Sequence, residues 1–402
     1  MKILAAVVIP PHLSVSGAVT AALALSEAIA DTQQVDIALM AYDESTSSLG
    51  KARLLRRRAR NPLRWTRGIL PDRFRTLFWS SDIPRLVARG AYDLVHLHNP
   101  IPALELRRIA RACKRAGVPY VISTHGFVEV AGGAGSYGLR GVRRVAWDWF
   151  VRRPFEEVVR NASRLLALSP EERPILHRLG VHDDDIRIVT NGVDAATYDA
   201  VPDADLAAFR DRFDLPKPSA MDPPVCAFLG NHTSNKGIDV LLDGFCRQDL
   251  PFLLVVGGMM KPHNVRYDDY ASHRDPGCRQ RIVFTDLLED REARALMRLA
   301  DLFVFPTRAD TLPLVILEAM ASETTVLATR VGGIPYQIDE TCGRLIPPGD
   351  PDALGQAYRD LYERRSELSR LGRSARARVE SRFSWPASAT SAMAAYRELV
   401  SD

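Results

Sequence analysis

Asp310 and Glu318 stand eight positions apart in the stretch RADTLPLVILEAMA, Arg308 to Ala321. Between Thr311 and Ala321 the only charged residue is Glu318. A carboxylate is almost never fully buried without a partner, so this one needs a partner in the protein or in a ligand. Pro313 predicts a helix start, with Thr311 or Asp310 as its cap. From Pro313 to Glu318 the helix would rise about 7 Å. That length suits a ligand whose phosphates meet the helix start while a ribose diol meets the carboxylate. One carboxylate can accept from two vicinal hydroxyls at once.

Other polar residues sit where an apolar run gives way to a helical pattern. In CAFLGNHTSNKGIDVLLDGF a strand ends at Gly230 and Asn231, and Lys236-Gly237 opens an amphipathic helix. A lysine there adds a point charge to the helix dipole, which suits a diphosphate better than it suits solvent. The G-x-x-x-x-G-K-[ST] pattern is absent, so this is no Walker loop. In PPHLSVSGAVTAAL, Ser16 and Gly17 precede a helix. The segment reads equally as an anion-binding turn, with Gly17 admitting an oxygen to the backbone, and as an ordinary turn. It has no G-x-G-x-x-G, which argues against a dinucleotide dehydrogenase.

In YVISTHGF, His125 ends an apolar strand. It reads equally as a cleft-facing hydrogen-bonding or acid–base group and as a loop histidine on backbone. His96 and His98 alternate in DLVHLH and share a face. They lack a third ligand nearby, so a structural or cleft-edge role is expected over metal binding. Asp183 to Asp185 lie between a helical stretch and a strand and read as a solvated turn. Gly332-Gly333 offers one more loop at a strand end.

Elements must position these groups, and the chain is long enough for two domains at 402 residues. The apolar runs KILAAVVI, VDIALM, DLVHLH, PYVIST, RLLALS and IRIVT alternate with helical patterns such as Ala18 to Ala30 and Pro102 to Ala116. VCAFLG, FLLVVGG, RIVFTD, DLFVFPT, TVLAT and GRLIPP repeat the alternation in the second half. The pattern predicts an α/β fold with a doubly wound parallel sheet in each half. Val201 to Pro224 reads as a linker with a short helix, which puts the hinge near Asn191 to Asp222. The expected division is 1–195, 196–380 and a C-terminal helix, 381–402, packing back on the first domain. Ligands of such sheets bind at the carboxyl ends of the strands.

Cysteines 113, 226, 246, 278 and 342 are scattered and form no C-x-x-C pair. They predict reduced thiols in a cytoplasmic chain, neither a disulfide frame nor a zinc site. No apolar run reaches the roughly 18 to 20 residues that span a bilayer. MKILAAVVIPP is apolar only from Ile3 to Ile9 and reads as a first strand, not a leader.

These residues together resemble glycosyltransferase family 4, the retaining nucleotide-sugar transferases of the GT-B fold. The resemblance covers most of the chain and is strongest from Val225 to Asp350. It is carried by Asp310 and Glu318 as paired acids, and by EAMA, GGIP, NGVD, KGIDVLLDGF, LADLFVFPT and GRLIPPGDPDAL in order and spacing. It implies two doubly wound Rossmann-like domains facing a central cleft. The implied activity moves a hexosyl unit, with retention, from a nucleotide diphosphate sugar to a polysaccharide or lipid-linked glycan of the cell envelope.

By matched position, Glu318 would bind the nucleotide ribose, Asp310 would face the transferred sugar, and Lys236 would bind the diphosphate. The backbone of Thr311, Leu312, Pro313, Leu314 and Val315 would contact sugar and diphosphate. His125 would lie near the donor sugar, with Gly17, Gly230 and Asn231 in the donor loops. His125, Asp310 and Lys236 are thus the implied catalytic groups. No cofactor or metal is implied, because lysine, arginine and helix dipoles neutralise the diphosphate. Retention by front-face attack, with a leaving-phosphate oxygen taking the acceptor proton, needs no protein nucleophile.

Several positions depart from the family pattern. Asn231 stands where an arginine is usual, leaving Arg308 or Arg330 to supply that charge. The first acid is Asp310 and not a glutamate. Ser322 to Thr325 replace a small-Gly-x-Pro turn, and Tyr336 replaces an acid after GGIP. A catalytically silent nucleotide-binding or scaffold protein on the same fold is therefore the alternative. A nucleotide-sugar epimerase is disfavoured by the matches from Asp310 to Pro335.

The net charge of +4 is mild, but its distribution is not. Lys51 to Arg75 carries ten basic residues against Asp72, with Trp65, Phe74, Phe78 and Trp79 within or after it. LRGVRRVAWDWFVRRPF adds five arginines with Trp147, Trp149 and Phe150. Such segments suit an anionic membrane surface, here the inner face of the cell membrane. No nucleic-acid module accompanies them, so nucleic acid is not an expected partner.

Overall fold

The computed structural model describes residues 1–14, 16–66, 72–125, 127, 130, 139–216, 223–261, 265–273, 275 and 279–400. Gly126, Cys278, residues 67–71 of the first basic segment and 217–222 of the expected hinge lie outside them. The chain divides into two compact units: 1–192 with 385–402, and 193–384.

In the first unit the apolar runs become β1 (Lys2–Val7), β2 (Gln34–Ala41), β5 (Leu94–His98), β6 (Tyr120–Ser123), β7 (Arg164–Ala167) and β8 (Ile186–Ile188). Two more strands, β3 (Ser45–Leu49) and β4 (Ala52–Arg58), were not legible in the sequence. β4 lies in the first basic segment, where arginines interrupt its apolar residues. Ala52, Leu54 and Leu55 are nonetheless buried. Arg53 donates to the buried Asp36 at 2.8 Å and Arg57 to Asp82 at 2.9 Å. A strand at this margin need bury only part of its side chains, and its charges find partners across the sheet.

The sheet order is β3-β4-β2-β1-β5-β6-β7-β8. All pairs are parallel except β3 with β4. β1 shows why its sequence is unbroken by polar residues. Ile3, Ala5 and Val7 enter one core, and Leu4, Ala6 and Val8 the other. Helices on both faces require both sets to be apolar. The helix Gly17–Ala30 and the C-terminal helix Trp385–Val400 pack together on one of those faces. Arg187 anchors the latter through Glu398 at 2.7 Å.

The second unit holds β9 (Val225–Leu229), β10 (Phe252–Gly257), β11 (Gln280–Asp286), β12 (Leu302–Phe305), β13 (Thr325–Thr329) and β14 (Gly343–Ile346). Their order is β11-β10-β9-β12-β13-β14, all parallel. The chain winds outward from β9 in one direction, then returns to start again at β12. Ligands of open α/β sheets bind where the winding reverses, outside the carboxyl ends of the two central strands. Here that point lies between β9 and β12. In the first unit the equivalent reversal lies between β1 and β5. The helix Asp203–Arg212, expected within a linker, packs against the helix Asp290–Leu299 of the second unit.

Candidate active site

The reversal in the second unit collects the groups singled out in sequence. β9 runs into Gly230 and Asn231, then a short turn, Ser234–Lys236, and the helix Ile238–Cys246. β12 runs into Asp310 and the helix Leu314–Ala321. Lys236 Nζ meets Asp310 Oδ2 at 2.5 Å, and both side chains are half-buried. The same ammonium lies 5.3 Å from the centre of the Phe305 ring. The other Asp310 oxygen accepts from the Thr311 N–H at 3.0 Å. The two groups expected to grip different parts of a ligand thus hold each other.

The helix starts one residue later than expected, at Leu314, and neither Asp310 nor Thr311 caps it by side chain. Asp310 is turned aside by Lys236, so the first turn keeps its N–H groups uncapped by side chains. The Pro313 carbonyl accepts from the Gln337 amide at 2.9 Å, which fixes the entry of the chain. Gly333 N–H donates to the Thr311 carbonyl at 2.6 Å. The neighbouring Gly332 has φ +50°, and a Cβ there would sit 1.8 Å from the Asp310 carbonyl oxygen. Gly332→Ala is therefore expected to cost about 1–3 kcal/mol in backbone strain and to displace Asp310 as well. Urea denaturation should show a larger loss than for Gly117→Ala, where φ is +68° but a Cβ meets nothing within 4 Å.

Leu312, Ile316 and Leu317 are buried, while Leu314, Val315 and Glu318 form the half-buried face of this helix. No hydrogen bond or ion pair reaches the Glu318 carboxylate among the described residues. Burial pushes its carboxyl up to about 7, and the negative charge of Asp290 adds to the push. Its setting also includes Tyr198, whose phenol is raised by burial and then by Glu318 itself.

Arg308, one of the two arginines that could supply the charge absent at Asn231, is engaged within the protein. It donates to Asp239 through two nitrogens, at 2.7 and 2.6 Å, and to the Ser234 carbonyl at 2.6 Å. A guanidinium engaged by a carboxylate fork and a carbonyl has little left for a phosphate. Arg330 is exposed. Asn231 is exposed too, while Gly230 N–H bonds the Gly257 carbonyl at 3.0 Å.

Gly17 and His125 belong to the first unit. Gly17 is the exposed first residue of its helix, with Ser16 as the cap accepting from Val19 N–H at 3.5 Å. His125 follows β6 and is buried, which pushes its imidazole down to about 4. It is therefore neutral at pH 7, suited to hydrogen bonding and not to carrying charge. His98 stacks 6.2 Å from it, and His96 lies 3.8 Å from His98. Both His96 nitrogens are engaged, one with Ser123 Oγ at 2.7 Å and one with the Tyr396 hydroxyl at 2.7 Å. That occupation leaves no lone pair for a metal and makes His96 a fastening for the C-terminal helix. Among the described residues no group of three His, Cys, Asp or Glu side chains is arranged to hold a metal.

One side chain at this edge escaped the sequence reading. Glu172, in the turn after β7, accepts from Leu168 N–H at 2.6 Å and from the Thr124 hydroxyl at 2.7 Å. It ties the end of β6, beside His125, to the end of β7. Burial pushes its carboxyl up to about 7. In the stretch SPEE nothing local separates the buried Glu172 from the exposed Glu171.

Two doubly wound α/β units, with polar groups at the carboxyl ends of their parallel strands, are the architecture of GT-B enzymes. Comparison with known proteins bears this out. Sucrose-phosphate synthase from Thermosynechococcus elongatus superposes with a TM-score of 0.73 at 22% identity, covering all of both chains. A family model described as Glycosyltransferase Family 4 matches residues 15–197, and one described as Glycosyl transferases group 1 matches 223–364. A D-inositol 3-phosphate glycosyltransferase of Xylanimonas cellulosilytica is 30% identical over 322 residues, 77% of this chain and 73% of that one. An MMP alpha-(1->4)-mannosyltransferase of Mycolicibacterium hassiacum is 26% identical over 323 residues, 78% of this chain and 72% of the other. The chain belongs to glycosyltransferase family 4.

Proposed function

We propose that this glycosyltransferase moves a hexosyl unit, with retention, from a nucleotide diphosphate sugar to a polysaccharide or lipid-linked glycan. The observation that carries the reading is Glu318. It is a half-buried carboxylate without a protein partner among the described residues, one turn beyond a helix start beside which Lys236 and Asp310 are paired. A vicinal diol offers two donors at the spacing one carboxylate accepts. The helix start offers N–H groups and positive dipole to phosphate.

On this reading the donor diphosphate takes Lys236 from Asp310, and the freed Asp310 accepts from hydroxyls of the sugar. The bond from the sugar's anomeric carbon to the phosphate oxygen breaks as that carbon bonds the acceptor oxygen. The acceptor proton passes to the departing phosphate. Neutral His125 supplies a hydrogen bond on the sugar side. Lys236 and the helix dipole neutralise the leaving group, so no metal cofactor is proposed. The relatives' names motivate the transfer of a sugar but not this acceptor.

We extend the proposal to place the protein in the cytoplasm at the inner face of an anionic membrane, with no nucleic-acid partner. Among the described residues no helix is long and apolar enough to cross a membrane, so attachment would be peripheral.

The test is a melting-temperature panel of UDP, GDP, ADP and their sugars, with and without magnesium. A ligand at a hundred times its Kd stabilises the native state by about 2.7 kcal/mol. One nucleotide series should raise the melting temperature equally with and without magnesium. No rise in any series would sink the reading. A second reading, nucleotide binding without turnover, is favoured by the engagement of Arg308 with Asp239, which leaves only Arg330 of the two candidate arginines to compensate for Asn231. Slow hydrolysis of the matching nucleotide sugar by the pure protein would exclude it.

A further inference from the structure

The two basic-aromatic segments are distinct in sequence, and the fold treats them differently. In the first, Arg53 and Arg57 are spent on Asp36 and Asp82. In the second, a helix Val142–Trp147 continues through a wide turn, Asp148–Arg152, into a helix Arg153–Arg160. Trp147, Val151 and Phe155 turn inward and are buried. Val142, Val145 and Trp149, spaced three and four apart, turn outward, with exposures of 85%, 56% and 56%. An ordinary surface helix turns charge outward and apolar residues in. This one has apolar residues on both faces.

Cations flank the outward stripe. Arg140, Arg143, Arg144 and Arg153 are exposed. None of the four forms an ion pair among the described residues. Arg153 stacks over the Trp149 ring at 4.0 Å. Asp148, the single acid of the segment, is held by Arg152 at 2.9 Å, with Arg144 and Arg153 adding weaker attraction. Next to Trp149 in the chain, Phe150 packs on Phe78 at 5.1 Å and on Phe74 at 6.4 Å. The fold thus joins the aromatic end of the first segment to the second.

We propose that the first unit docks on an anionic lipid bilayer through this face, with Val142, Val145 and Trp149 in the headgroup layer and Arg140, Arg143, Arg144 and Arg153 on lipid phosphates. The assignment rests on the membrane location proposed above and names the surface that delivers it. Apolar residues flanked by arginines without ion-pair partners among the described residues match the two layers of such a surface, headgroup charge outside and acyl carbon beneath. Nucleic acid would leave the valines without a partner.

The full-length chain should be sedimented with vesicles of phosphatidylcholine alone and of phosphatidylcholine mixed with phosphatidylglycerol. The expected result is binding to the mixed vesicles only, weakening as salt is raised. Val142→Ser with Val145→Ser and Trp149→Ser should abolish it. Arg143→Ser with Arg144→Ser should weaken it about fivefold for each arginine removed. Melting temperatures should match wild type, since none of these side chains is in a core. If wild type fails to bind mixed vesicles, the membrane reading falls. If wild type binds and the triple variant binds equally, this face is the wrong one. Either outcome is separable from the activity, because the donor melting shift is read without vesicles.

Discussion

Glu318→Gln is expected to make the protein more stable above neutral pH while it loses its nucleotide. Burial holds the Glu318 carboxyl near 7, against 4.5 for the ordinary group. The folded chain therefore keeps this proton better than the unfolded chain does. Below pH 4.5 both states are protonated and the group costs nothing. As pH rises from 4.5 toward 7 the unfolded chain ionises while the folded chain still holds its proton, so stability falls; above 7 the folded state carries the charge too and the loss levels off. The loss approaches about 3 kcal/mol when the carboxylate is fully ionised. A neutral amide of the same shape escapes it. The melting temperature of the variant should exceed wild type at pH 8, and the gap should close at pH 5.

The same substitution removes a charged acceptor for two hydroxyls, and such bonds contribute about 1.5–3 kcal/mol each. Nucleotide affinity should fall by about a hundredfold or more. In wild type, affinity should climb as pH rises through 7, because the ionised form is the better acceptor. Stabilisation coupled to loss of binding is what separates a ligand carboxylate from a structural one. A variant that melts lower at pH 8 and still binds its nucleotide would defeat the assignment.

Lys236 and Asp310 give the second large effect, with opposite signs for the two partners. In the free protein each neutralises the other at 2.5 Å. Lys236→Met removes the cation meant for the diphosphate and leaves Asp310 with only a backbone N–H. Loss of one preorganised charge at the leaving group should lower kcat by about 10²–10³-fold. Nucleoside diphosphate affinity should fall with it. Asp310→Asn releases Lys236 instead. Binding of the nucleoside diphosphate should hold or tighten, while turnover drops because the sugar loses its acceptor. Titration calorimetry for binding, with a coupled assay for turnover, would resolve the split. If both substitutions weaken binding to the same degree, the ion pair is only a structural fastening and the proposed exchange of partners is wrong.

Much of the fold was legible because the signals that define it are local. Strands buried on both faces must be apolar at every position, so VCAFL and LFVF announced β9 and β12. β3 and β4 were hidden, the latter because its arginines look like a solvated run until their partners are seen. Arg53 reaches Asp36, seventeen residues away in another strand. The acid pair at Asp310 and Glu318 was visible from type and spacing. The cap was not, because Asp310 turns from the helix start toward a lysine that the local sequence does not contain.

The sequence by itself determined the alternation of elements, the family and the chemical character of each junction. All three follow from residue type and short-range order, which period and turn chemistry fix within a few residues. The tertiary structure decided who meets whom. Lys236 reaches Asp310 across 74 positions because β9 and β12 are neighbours at the reversal of winding. Arg308 is claimed by Asp239 across 69 positions, which its own stretch of sequence does not announce. Among the described residues Glu318 is left without a hydrogen-bonding or ionic partner, which no stretch of sequence by itself contains. Strand order is set by crossovers and shared cores rather than local pattern, so contacts of this kind exist only once the sheet is assembled.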